Sequence, residues 1–348
     1  MHLAPEALAS FPFVTTQPRR SIMTRSPTSP ARRRVLALAG GAALLSPLAL
    51  RPAFAAEYLT IATGGTSGVY YPLGVALSQI YTKAIPAAKS SVQATKGSVE
   101  NLNLLEAGRA ELGFSLGDSL SDAWKGEADA GFKVPLKKLR TLAAIYSNYV
   151  QIVAREDSGI KTLADLKGKS ISVGAPKSGT ELNARALIKA AGLSYKDFSK
   201  VEYLPFGESV ELMKNRQLDA TLQSAGLGVS SLRDLAASQK IVVVPVPADI
   251  IAKVGDPAYQ SGVIPANTYE GQTSAVPTAR IQNFLVTREG LSEEMVYQMT
   301  KAMFTHLPEL VAGHAAAKGI SLKDAPLNSP VPLHPGAAKY YREAGVLK

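Results

Sequence analysis

The residues best placed to do chemistry are hydroxyls and glycines at two points where a helix should begin. Ser178-Gly179-Thr180 precedes an apolar-periodic run carrying Leu182, Ala186, Leu187 and Ala190 and closed by Gly192. Gly97-Ser98 precedes a second run carrying Leu102 and Leu105 and closed by Gly108. The first turn of a helix presents amide N–H groups that have no intrahelical acceptor, at the positive end of the helix dipole, and so favours an anion. Thr66, Ser67 and Tyr70, in and just after the loop Gly64-Gly65-Thr66-Ser67-Gly68, add hydroxyl donors, and Asn101 adds a side-chain amide. Donors of this kind suit the capture of a small carboxylate. Ser98 and Thr180 have a plainer alternative use, as caps that bond only their own helices.

Other chemistries are poorly supplied. The 348 residues include no Cys, which excludes thiol nucleophiles, thiolate zinc sites, disulfides and a lipidated N-terminal Cys. No Ser lies in a G-x-S-x-G elbow. The loop Gly64–Gly68 does not fit G-x-G-x-x-G. Gly168-Lys169-Ser170 ends like a P-loop, but Leu163 stands where the leading glycine belongs and a strand follows instead of a helix. His306, His314 and His334 all fall in the C-terminal segment, far in sequence from the polar loops. Asp118 and Asp122, four residues apart, read as flanking a helix start and not as an acid–base pair. The expectation is a binding protein with no catalytic residues, no metal and no cofactor. The rival from another class is a periplasmic enzyme on the same scaffold.

The elements that hold these loops alternate between strand and helix. Tyr58–Thr63 reads as a strand, and a helix begins near Pro72 with Leu73, Leu77 and Ile80 on one face. Ser91–Thr95, a helix opened by Ser98, and Glu111–Leu116 complete a βαβαβ unit, which implies parallel strands with helices packed on the sheet. Ser170–Gly174, a helix after Gly179, Val201–Leu204, a helix through Val210 and Met213, and Asp219–Gln223 repeat the plan. Thr141–Tyr146 and Val150–Arg155 read as two strands between the units. Ile281–Thr287 reads as another, followed by a helix capped by Ser292 with Val296, Met299 and Met303 inside. Two α/β lobes follow, the second inserted into the first, over 56–148 plus 276–348 and over 149–275. The crossing strands are expected to be Val150–Arg155 and Ile281–Thr287. The polar loops sit at the carboxyl ends of strands, where open α/β sheets bind ligands, so the expected cleft lies between the lobes.

Charge and hydropathy place the protein outside the cytoplasm. Of 38 Lys and Arg, seven Arg fall in residues 1–55 beside one acid, so the remaining chain holds 31 basic and 27 acidic side chains. The excess therefore belongs to the leader and does not argue for nucleic acid. Arg32-Arg33-Arg34, the apolar run Val35–Leu50 and the small-x-small site Ala53-Phe54-Ala55 have the layout of a cleaved export signal. The mature chain is expected to begin at Ala56. Val35–Leu50 is shorter than the roughly 20 residues of a membrane span. The paired arginines and Arg51 fit twin-arginine export as well as Sec, and either Met1 or Met23 can serve as the start.

Several of these stretches resemble the TAXI family of solute-binding proteins, which serve tripartite ATP-independent periplasmic (TRAP) transporters. The matching stretches are Thr63–Gly74, Thr95–Leu102, Asp165–Lys169, Ser178–Thr180 and the terminal Pro332–Glu343. The likeness spans essentially the whole mature chain. It implies an α/β, two-lobed periplasmic binding protein, type II-like, with hinge strands and a ligand cleft. Such a receptor hands a small organic acid (a glutamate-like amino acid, a dicarboxylate or a 2-oxoacid) to a membrane permease, and a monomer is expected. A receptor that reports ligand to a membrane sensor shares every one of these features. The resemblance carries ligand contact to Thr66, Ser67, Tyr70, Ser98, Asn101, Ser178, Gly179 and Thr180. Asp118 sits where the family shows a polar-Asp pair, but Gly117 replaces the polar residue. Lys96 and Lys177 stand where small residues are expected. Two ammonium groups beside the cleft would favour a dianion, and two on its rim would matter little.

Overall fold

Each lobe is built on the parallel unit that the alternating strand and helix signals predict. A computed structural model describes residues 57–348, and the leader with its cleavage site lies outside them. β1 (Glu57–Ala62), α1 (Tyr70–Ala84), β2 (Ala88–Gln93), α2 (Ser98–Glu106), β3 (Leu112–Leu116) and α3 (Gly117–Lys125) form the first lobe. β1 lies between β2 and β3 and parallel to both. After the long strand β4 (Leu139–Arg155) come β5 (Ser170–Ser172), α4 (Gly179–Ala190), β6 (Lys200–Glu202), α5 (Phe206–Lys214), β7 (Ala220–Ala225) and α6 (Ser230–Ser238). Here β5 lies between β6 and β7, again parallel to both. β8 (Ile241–Val244), α7 (Ala248–Val254) and β9 (Gln260–Ile264) complete the second lobe. β10 (Val276–Arg288) then returns the chain to the first lobe, where α8 (Glu293–Thr305), α9 (Leu307–Gly313) and α10 (Pro335–Glu343) follow.

The strands join in the order β2-β1-β3-β10-β4-β7-β5-β6, with β8 beside β4 and β9 beside β10. β4 pairs with β10 from Leu139 to Tyr149 and with β7 from Tyr149 to Ala154. β10 pairs with β9 over Val276–Arg280 and with β3 over Asn283–Val286. Each long strand thus serves one lobe at one end and the other lobe at the other. Thr141–Tyr146 and Val150–Arg155, expected as separate strands, are one strand of 17 residues. The polar Ser147-Asn148 between them stays in the sheet because its side chains find partners there. Ser147 Oγ donates to Gln282 Oε1 at 3.2 Å, and Asn148 Nδ2 donates to the Ser224 carbonyl at 2.8 Å.

The cores follow the apolar periodicity. Leu73, Leu77 and Ile80 of α1 pack with Leu59 and Ile61 of β1, while Ile171, Leu187 and Leu222 anchor the second lobe. Ser292 caps α8, accepting from Met295 N at 3.2 Å, and the helix buries Val296, Met299 and Met303. The Tyr341 hydroxyl of α10 donates to Leu142 O at 2.8 Å, holding the C-terminal helix on β4. His334 and His314 accept from the backbone N–H groups of Gly336 and Ala316, so both are local caps. Among the described residues no helix is long and apolar enough to cross a membrane, and no cluster of three His, Asp or Glu side chains is placed to hold a metal ion.

Candidate ligand site

The carboxyl ends of all six parallel strands converge on one cavity of about 100 Å³. Gly64 and Gly65 follow β1, Thr95–Ser98 follow β2 and Leu116 ends β3. Ala175 follows β5, Pro205 follows β6, and Ser224 and Ala225 end β7. Phe206, Pro205 and Leu116 supply apolar wall. Tyr70, stacked on Phe114 at 5.0 Å between ring centroids, supplies wall and a hydroxyl. The space is smaller than the ~150 Å³ apolar cavity that accepts benzene, so it suits a short molecule.

Six of the residues singled out in the sequence line this cavity: Tyr70, Lys96, Ser98, Ser178, Gly179 and Thr180. The other five do not. Thr66 is exposed, and Ser67 turns its carbonyl to the second lobe, accepting from Ser230 Oγ at 2.9 Å. Asn101 is wholly buried, and its side chain is spent on the protein. Its Nδ2 donates to Thr63 O (2.6 Å) and Phe114 O (2.9 Å), and its Oδ1 accepts from Thr95 Oγ1 (2.7 Å). Lys177 is exposed, with φ +61°, beside a shallow outer depression shared with Glu181 and Arg185. Asp118 lies behind the cavity, in contact with the second lobe.

The capping roles differ from expectation. Ser178, not Thr180, caps α4, accepting from Glu181 N at 3.1 Å. At α2 the cap position is Gly97, whose φ of +111° favours glycine. Ser98 Oγ instead accepts from Leu116 N at 3.1 Å, fastening α2 to the end of β3. The amide groups of Gly179 and Thr180 thus open α4 onto the cavity with no intrahelical acceptor.

A polar floor that the sequence did not reveal lies on the crossing strands. The Tyr70 hydroxyl donates to Asn283 Oδ1. Asn283 Nδ2 donates to Asn148 Oδ1 at 2.7 Å and to Tyr146 O at 3.0 Å. Tyr146, Asn148 and Ser224 all line the cavity and all are buried. Tyr146 and Asn148 stand two apart on β4, so strand periodicity puts them on one face. That parity was the available signal. Burial pushes the phenols of Tyr70 and Tyr146 up, so both remain protonated donors.

The lobes are in contact around the cavity. Glu100 N donates to Lys177 O at 3.3 Å, and Arg185 Nη1 to Asp129 O at 2.7 Å. Asp118 Oδ2 accepts from Tyr259 Oη at 2.9 Å and from Asn183 Nδ2 at 2.5 Å, both in the second lobe, while its Oδ1 accepts from Ser119 N at 2.7 Å. Burial pushes the Asp118 carboxyl up to about 6 against those hydrogen bonds. Burial and nearby Asp256 push Asp122 to about 6 as well. Among the described residues lining the cavity itself, none is acidic and one, Lys96, is basic. Its field therefore comes from helix amides, hydroxyls and a single ammonium group near the opening.

Comparison with solved structures supports the two-lobed architecture. The periplasmic binding protein BugD superposes with a TM-score of 0.53 at 11% identity, covering 83% of this chain and 94% of that one. A structure described as a periplasmic transporter superposes with a TM-score of 0.52 at 15% identity, covering 82% and 94%. At these identities the likeness is one of fold: a mixed α/β, two-lobed periplasmic-binding-protein fold. The family model that matches extends over residues 61–345, nearly everything after the leader and every loop of the cavity, and by that match the chain belongs to the NMT1-like family.

Proposed function

We propose that this protein is the extracytoplasmic solute-binding component of a TRAP-type secondary transporter, of the TAXI kind, capturing a small carboxylate by closure of its two lobes. The observation that carries the reading is the meeting of α2 and α4, helix starts from opposite lobes, at one cavity that no acidic side chain among the described residues lines. A carboxylate there receives N–H donors and favourable dipoles from both lobes, so it binds the closed form best. The lobes 56–148 plus 276–348 and 149–275 act as rigid bodies, with β4 and β10 as the hinge. The arginine-led leader supports delivery to the periplasm, where a monomer would hand its ligand to a membrane permease.

A thermal-shift screen of residues 56–348 tests this reading with monocarboxylates, dicarboxylates, amino acids and 2-oxoacids, each beside its neutral amide. A ligand at a hundred times its Kd adds about 2.7 kcal/mol, a rise of several degrees. The expected result is a rise with at least one acid and none with its amide. Equal rises with acid and amide, or none across the screen, would overturn it.

A further inference from the structure

Two residues that line the cavity, Tyr146 and Ser224, are at least nine-tenths covered (3% and 5% exposed), and among the described residues their hydroxyls, Tyr146 Oη and Ser224 Oγ, have no hydrogen-bond partner. Their neighbours on the wall are paired. Asn148 accepts from Asn283 and donates to the Ser224 carbonyl, and Tyr70 donates to Asn283. A buried hydroxyl left without a partner is unfavourable. Two of them, on residues that line one small space, are hydrogen-bonding capacity that the protein does not complete by itself. They come from β4 and β7, whereas the anion-favouring amides come from the starts of α2 and α4.

We propose that Tyr146 and Ser224 form a second subsite, which selects ligands carrying an uncharged carbonyl or hydroxyl oxygen in addition to the anionic group. The inference rests on reading this cavity as a carboxylate site. One carbonyl or hydroxyl oxygen has two lone pairs and can accept from both hydroxyls. An ammonium group in the same place would have no carboxylate to pair with, because no acidic side chain lines the cavity, and an unpaired buried charge is costly. An alkyl group would leave both hydroxyls unsatisfied, and sites built to hydrogen-bond a polar group reject analogues lacking it. Tyr146 and Ser224 therefore favour an oxo- or hydroxy-acid over both the plain acid and the amino acid of the same length.

The test is calorimetric titration with two matched series: propanoate, lactate, pyruvate and alanine, and pentanoate, 4-hydroxypentanoate, 4-oxopentanoate and 4-aminopentanoate. In at least one series the oxo- or hydroxy-acid should bind roughly tenfold or more tighter than the plain acid and the amino acid. Tyr146→Phe and Ser224→Ala should each erode that preference several-fold. Their melting temperatures should equal or exceed that of the parent protein, because each substitution removes an unsatisfied buried group; a purely structural role for either hydroxyl would lower them. A preference unchanged in both variants, or tightest binding by the ammonium-bearing acid, overturns the subsite while leaving the carboxylate site standing. Binding by none of the eight acids overturns the subsite, while the carboxylate reading stands or falls by the wider screen.

Discussion

Asn283 on β10 donates to Asn148 on β4 at 2.7 Å, joining the two crossing strands beneath the cavity. Through these two side chains a run of hydrogen bonds extends from Tyr70 on α1 to the Ser224 carbonyl on β7. It thus links the lobes across the two crossing strands. Asn283→Leu would orphan the Tyr70 hydroxyl and the Asn148 carbonyl oxygen, at about 1–3 kcal/mol for each group. Urea unfolding should show a lower midpoint with an unchanged m-value. An unchanged midpoint would mean that water replaces the lost partner.

The close approach of the two lobes at Gly179 depends on its missing side chain, and so would the proposed closure. A Cβ there would stand 2.6 Å from Leu116 Cδ1, 2.7 Å from Ser98 Oγ and 3.0 Å from Ser119 Oγ, all in the first lobe. Gly179→Ala should leave the second lobe intact, since Ala favours a helix over Gly by up to about 1 kcal/mol. It should hold the lobes apart. Small-angle scattering with a confirmed ligand is expected to show compaction for the parent chain and little for the variant, with affinity down more than about tenfold. Normal compaction in the variant would show that the first lobe can yield.

Stability should fall as pH rises past the Asp118 transition. Its folded pKa of about 6 lies above the ordinary carboxylate value, so its contribution is complete at about pH 4 and is lost as pH climbs through 6. A shift of that size corresponds to roughly 3 kcal/mol. The melting temperature is expected to be higher near about pH 5 than near about pH 7.5. Asp118→Asn should flatten that slope; Asp122 is shifted in the same direction, while His314 and His334, held down by burial, contribute the opposite slope. An equal slope in the variant would place the titration elsewhere.

The two residues opening α4 should separate stability from binding. Ser178→Ala removes the observed cap and should cost about 1 kcal/mol of stability. Thr180→Ala leaves that cap in place and should weaken carboxylate binding by about 1–3 kcal/mol with little change in melting temperature. Reversed effects would make Thr180 the structural residue.

The two lysines should also part company. Lys96 lines the cavity, whereas Lys177 faces an outer depression. Lys96→Ala is expected to lower succinate affinity, more at low salt than at high salt, and Lys177→Ala to leave it unchanged. Equal losses in the two variants, measured by calorimetry, would restore both to the binding field.

Apolar spacing and turn residues were enough to read the paired βαβαβ units, the two-lobed α/β fold and the loops at the strand ends. Those signals are local: Leu73, Leu77 and Ile80 share a helix face whatever surrounds them, and Ser292 caps the helix that follows it. The use of each polar side chain depended on partners distant in sequence. Ser98 looks like a cap but bonds Leu116, 18 residues away; Asp118 looks like part of a ligand loop but bonds Asn183 and Tyr259, 65 and 141 residues away. Ser147-Asn148 looks like a break and instead continues β4, because Gln282 and Ser224 receive its side chains. Ser224 opens the glycine-rich stretch Ser224–Gly228 at a strand end, and Tyr146 is marked only by its parity with Asn148. Both line one cavity because β4 and β7 pair beside it. Element formation depends on neighbours along the chain, whereas a hydroxyl's partner, or its lack of one, depends on how distant strands and helices pack.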